Sequence, residues 1–163
     1  MKKEKMNDKG FSLVELIIVI AIMAVLVVVL APQYLKYVER SRNSTDLQNA
    51  TAAITACQVW AADPEATPSF TASQDFTIEV SSSGAKVDGA NKAAASAALA
   101  DASIKESDFK CKSKTKWTTF TITGKVDANG GMSFDYTSAD KTGTNTEFKD
   151  AMAGKSKTTT ENP

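Results

Sequence analysis

Residues 9–32 read KGFSLVELIIVIAIMAVLVVVLAP, and the understanding of the whole chain turns on this stretch. Between Phe11 and Ala31 the single charge is Glu15 and the single hydroxyl is Ser12. As a helix, this run spans roughly 31 Å, about the thickness of bilayer hydrocarbon. No other part of the sequence is apolar enough to enclose it as a buried core helix. A cleaved secretory signal fits poorly. Val29-Leu30-Ala31 has small enough residues for a cleavage site, but Pro32 follows at once and Glu15 interrupts the apolar stretch. A plain membrane anchor accounts for everything except Glu15. A carboxylate inside hydrocarbon is costly and is usually kept for a partner.

The flanks extend this reading. Before the run, Lys2, Lys3, Lys5 and Lys9 outnumber Glu4 and Asp8; after it come Lys36, Arg40 and Arg42. The positive-inside rule therefore leans only slightly toward an inside N-terminus. Pro32 either ends the membrane helix or kinks a longer one. The second reading is favoured, because helical patterning resumes immediately. From Gln33 to Ala62 there is no Gly or Pro, until Asp63-Pro64 stops the run. Leu47, Ala50, Ile54, Cys57 and Ala61 recur in steps of three and four and mark one face, with Thr45, Gln48, Asn49 and Thr55 opposite. The expectation is a continuous helix over 11–62, apolar in its first half and amphipathic in its second.

Lys9-Gly10-Phe11-Ser12-Leu13-Val14-Glu15-Leu16, standing directly before the apolar run, resembles the processing site of type IV pilin precursors, and the likeness extends to about Leu35. The features that carry it are a charged leader, Gly at the break, an aromatic first residue, Glu five positions in and Pro32. The resemblance implies cleavage between Gly10 and Phe11 by a prepilin peptidase, with N-methylation of the new Phe11 amine. It also implies that the apolar helix is kept, first as a membrane anchor and then as filament core. The physics agrees. Cleavage removes a charged leader that has no place in an apolar bundle, and it creates a cationic amine at Phe11. In a staggered stack, Glu15 of one subunit neutralises the Phe11 amine of the next, which fixes register as a buried polar group does in a coiled coil. Leu16, Ile17, Ile20, Met23, Ala24 and Val27 supply the apolar seam.

Beyond residue 62 the sequence reads as a small α+β head. Asp63 to Asp75 is loop. Phe76-Thr77-Ile78-Glu79-Val80 alternates as a strand closed by Ser81 to Gly84. Asn91 to Ala102 is alanine-rich and expected to be a short helix. Phe120, Ile122, Gly124 and Val126 alternate toward Asp127 to Gly131, while Met132, Phe134 and Tyr136 alternate away, which gives a hairpin. Trp117 breaks the phase, so a bulge or strand start is expected nearby. Phe109 to Lys116 is expected to add another strand, and Thr146 to Met152 a short helix with Phe148 and Met152 on one face. The fold expected is a long helix packed on an antiparallel meander of three or four strands whose inner face covers Ile54 and Cys57.

Candidate chemistry in the head is sparse. There is no histidine, which removes the commonest general base and zinc ligand. Cys57 and Cys111 have no metal-binding spacing; they fit one disulfide outside the cytoplasm or two separate buried thiols. Lys110, Lys112, Lys114 and Lys116 alternate, a pattern that suits phosphate contact or, more usually, protection of an edge strand. Contact with nucleic acid is the lesser reading, because no aromatic platform interleaves the lysines. Balanced charge, 19 basic against 19 acidic, supplies no global field toward a polyanion. Asp127-x-Asn129-x-Gly131 opens like a calcium loop but lacks the later bidentate acid, so it reads as a turn. No nucleophile–base pair or phosphate-binding glycine loop is present. No metal, cofactor or enzymatic activity is expected.

The organisation expected is a removable leader (1–10), a transmembrane and filament-core helix (11–31), an amphipathic helical half (32–62), a globular head (63–153) and a loose tail (154–163). The resemblance implies a structural subunit of a type IV pilus, with itself, the prepilin peptidase, the assembly machinery and the membrane as partners. Such a subunit is a single-pass membrane protein before assembly and part of an extracellular filament afterwards. Two alternatives share part of this reading: a pseudopilin of a type II secretion system, and a membrane-anchored binding module that never polymerises.

Overall fold

A computed structural model describes residues 12–154. The leader and the tail beyond Gly154 lie outside the described residues, as do Gly10 and Phe11. The first element, α1 (Leu13–Ala62), is a single helix of 50 residues that continues through Pro32 instead of ending there. The chain divides between Val38 and Glu39 into two compact units.

In the first unit, aliphatic side chains face outward all round the helix, and no residue of its most apolar window is buried. The second unit contains the rest of α1 and all other elements. These are β1 (Asp75–Val80), β2 (Ala85–Asp88), α2 (Lys92–Asp101), β3 (Thr119–Val126), β4 (Met132–Asp140), β5 (Gly143–Asn145) and α3 (Glu147–Met152). The sheet is antiparallel throughout, in the order β2-β1-β3-β4-β5. This is the pilin-like α+β arrangement, with five strands where three or four were expected.

Side-chain alternation builds the core. Phe76, Ile78 and Val80 of β1 and Phe120, Ile122 and Val126 of β3 point inward and are buried. Ala50, Ala53 and Cys57 of α1 join the same cluster, with Leu47 and Ile54 half-buried at its margin. The expected helix stripe is thus displaced: Ala53 and Ala56 are buried, whereas Ala61 is exposed. Small alanines thus make up much of the buried face of the helix. Phe148 of α3 is fully buried, stacked on Phe120 at 4.2 Å between centroids and edge-on to Trp117 at 5.2 Å.

One expected strand is absent. Phe109 to Lys116 is loop, although Phe109, Cys111 and Ser113 are buried and alternate with the half-buried Lys110 and the exposed Lys112, as a strand pattern requires. The main-chain donors of residues 112 to 115 are drawn to side-chain carboxylates of α1, described below, and not to a strand ladder. Two short strands, β2 and β5, were not expected. β2 pairs back on β1 across the Ser81–Gly84 turn, with Val80 opposite Ala85.

Gly124 is fixed by packing. It stands opposite Phe76 on β1 and Phe134 on β4, and a Cβ there would run into the Phe76 ring. That ring is fully buried and held by Phe70 and Phe134, so it has little room to retreat. Gly124→Ala is expected to destabilise the fold by about 1–3 kcal/mol, read as a lower urea midpoint. An unchanged midpoint would show that the ring can move aside.

Candidate functional site

Polar and charged side chains with a definable role gather at two places among the described residues. The first is the start of α1. Ser12 precedes the helix, and its carbonyl accepts the N–H of Leu16 at 3.2 Å. Its own N–H donates to Glu15 Oε2 at 2.9 Å. This is half of a capping box, in which an acid three residues into the helix reaches back to satisfy an N-cap donor. Ser12-x-x-Glu15 is that signature, and the sequence reading, which treated Glu15 as a charge partner alone, passed over it. The two roles are compatible, because a carboxylate has lone pairs for further donors.

Beyond Glu15, the side chains expected to form the seam are bare. Leu16, Ile17, Ile20, Met23 and Val27 are all exposed, and Leu13 and Val28 each reach 73%. Mean hydropathy over the best window is 3.4. Such a surface is stable only in lipid or against other apolar surfaces.

The second place is the junction of α1 with the loop after α2, where two acids sit seven positions apart on one helix face. Asp46 is fully buried. It accepts the N–H of Lys112 at 2.7 Å, the N–H of Ser113 at 2.9 Å and the indole N–H of Trp117 at 2.9 Å. The Cys111 thiol points at it from 3.5 Å. Glu39 Oε1 accepts the Ser113 hydroxyl at 2.8 Å and the N–H groups of Lys114 and Thr115 at 2.7 and 3.0 Å. Its other oxygen lies 3.5 Å from Arg42 Nη1. Four successive main-chain donors, 112 to 115, thus end on two carboxylates, an arrangement that stops the segment from pairing as a strand. A sequence signal existed: Asn43, Asp46, Ala50, Ala53 and Cys57 follow steps of three and four, so an acid lies on the buried stripe.

Both cysteines are free buried thiols, the second of the two arrangements the sequence left open. Burial pushes each up to about 12. At Cys111 the negative Asp46 carboxylate adds to the effect. Cys57 packs as a small apolar residue and Cys111 serves as a weak donor. Asp127 Oδ1 accepts the N–H groups of Asn129 and Gly131 at 2.8 and 2.7 Å, which closes the β3–β4 turn. Among the described residues, no group of three or more acidic, Cys or His side chains is placed to hold a metal ion.

With this geometry in view, comparison with known proteins is informative at one end of the chain. A long helix, apolar in its first half and with an acid in its first turn, continued into a small antiparallel sheet is the pilin-like α+β arrangement. Residues 5–31 match the family model of the prokaryotic N-terminal methylation motif; the chain therefore carries the signal of type IV prepilins and pseudopilins. No curated protein and no solved structure matches it.

Glu39 supplies a test of the second place. Burial raises its pKa, but the donors from Lys114, Ser113 and Thr115 outweigh burial and take it from 4.5 down to about 2. A carboxylate more acidic when folded stabilises fully above its unfolded pKa, and the contribution disappears as pH falls through the folded value. The head should therefore lose stability between about pH 4.5 and about pH 2, and Glu39→Gln should lack that component. Urea midpoints of the detergent-solubilised chain at the two ends of this window will show it. Equal acid losses in both proteins would refute the assignment.

Proposed function

We propose that this chain is a structural subunit of a type IV pilus, cut after Gly10 by a prepilin peptidase and N-methylated at Phe11. The methylation motif over residues 5–31 supports this reading. The observation that carries it is the bare apolar helix: the most apolar window of α1 has no residue buried within its own chain. The helix first anchors the subunit in the membrane as a single span. It then passes into a helical homopolymer, where copies of the same helix replace lipid as its surroundings.

Glu15 directs that transfer. In the membrane its charge is tolerated near the end of the span, where the Ser12 N–H already satisfies one oxygen. In the filament the carboxylate meets the Phe11 amine of a neighbour, so that neither charge stays unpaired in an apolar bundle. Pro32 has no N–H to donate to Val28, which makes that turn the place where α1 gives as it enters the filament. The head covers the outside of the fibre. The role is structural, and no residue in this account performs catalysis.

The proposal separates from that of an inert tether by one substitution. Glu15→Ala should still insert in the membrane and still be processed, yet surface fibres containing the chain should fall to background. Normal fibres from the altered chain would remove the charge pair from the account. Absence of surface fibres even from the unaltered chain, with processing intact, would point to the short filament of a type II secretion pseudopilin.

A further inference from the structure

The four lysines of the 109–117 loop do not guard a strand edge, which leaves their role open. Three of them, Lys110, Lys112 and Lys114, line a cleft of about 510 Å³ together with Arg42, Ser41 and Ser82. No carboxylate is among the residues that line it. None of the three lysines is in an ion pair among the described residues; Arg42 shares its charge with Glu39 at 3.5 Å. The rest of the second unit has the opposite character, with acids such as Asp63, Glu65, Asp75, Asp101 and Asp108 spread over its exposed surface.

Cations gathered in one cleft repel each other, and a loop free to relax would spread them. This loop is not free. Asp46 and Glu39 hold it by the main-chain N–H groups of residues 112 to 115, so the lysine side chains remain available while their backbone is fixed. The ordering cost of binding is thereby reduced in advance. Ammonium, guanidinium and hydroxyl donors around one cleft are the chemistry that receives a phosphate oxyanion.

We propose that this cleft binds the phosphate headgroups of anionic phospholipids in the membrane that holds the unassembled subunit. The inference rests on the anchoring half of the proposed function. Ser41 and Arg42 follow closely in sequence on the apolar run, which ends at Ala31. The ten residues from Ala31 to Ser41 limit the distance between the cleft and the membrane that receives the run to roughly 35 Å of chain. Tethering of this kind gives headgroups a high effective concentration that a soluble polyanion lacks. Basic side chains at an anionic surface then add their attraction cumulatively. Headgroup contact restrains the subunit until assembly withdraws it.

The test uses the full processed chain in vesicles of neutral phosphatidylcholine, with or without about 30% phosphatidylglycerol. A membrane-impermeant amine-acylating reagent labels exposed lysines, and peptide mass spectrometry reads each site. Anionic lipid should slow labelling of Lys110, Lys112 and Lys114 by about fivefold. Lys86 on β2 and Lys141 in the β4–β5 turn should be unchanged, and about 0.5 M salt should remove the protection. A Lys112→Gln/Lys114→Gln variant keeps its main-chain anchors and should lose the protection at Lys110.

Equal labelling in the two vesicles overturns the proposal. It is equally overturned if a short DNA duplex protects the lysines in neutral vesicles while phosphatidylglycerol does not. Flotation distinguishes this failure from that of the proposed function. A chain that does not float with vesicles removes the anchoring reading, whereas one that floats with unprotected lysines removes the cleft alone.

Discussion

An aliphatic surface that its own chain leaves uncovered is the constraint from which the rest follows. From Leu13 to Leu30 the side chains on every face of α1 are exposed, and moving one Leu, Ile or Val side chain out of water is worth about 1.5–3 kcal/mol. Summed along the run, this is far more than the net stability of a small domain, on the order of 5–15 kcal/mol. The helix therefore calls for lipid or other apolar surfaces around it. Apolar contact is non-directional and leaves register undefined; the single acid supplies direction. In the proposed filament, Glu15 is costly until it meets a cation, and that cost can select one stagger among many that would bury similar area.

A related logic, on a smaller scale, holds the head together. Asp46 is a carboxylate with no exposed surface, a state that is tolerable only when its oxygens are fully engaged. Two main-chain donors, an indole and a thiol meet that need. In return the loop after α2 is pinned to the helix without any strand of its own. Glu39 extends the pinning by two residues. The same anchors keep the lysine side chains together on one side of the loop, so a feature that stabilises the fold also sets the electrostatics of the cleft.

Much of this was legible in the sequence, and the exceptions have physical causes. The apolar run was read from its length and composition, α2 from its alanines, and the alternation of β1, the hairpin of β3 and β4 and helix α3 from the spacing of apolar residues. β2 and β5 escaped because Ala85–Asp88 and Gly143–Asn145 contain too few apolar residues to show a period. The 109–117 segment misled for the opposite reason. Its burial does alternate, but a rival set of acceptors took the N–H groups that would have made it a strand. Alanine-rich spacing hid the true helix stripe, since Ala53 and Ala56 are buried but carry little hydrophobic signal in the sequence. At the functional end the motif carried the reading of Glu15, while the capping bond from Ser12 needed coordinates to be noticed.

The most direct measurement is the intact mass of the protein taken from the cell. Everything above requires that the apolar helix stays on the mature chain with a new cationic terminus in front of Glu15. The account predicts a chain that begins at Phe11, heavier by a methyl group than its sequence. A mature chain beginning at Pro32, with residues 11–31 removed, would contradict it.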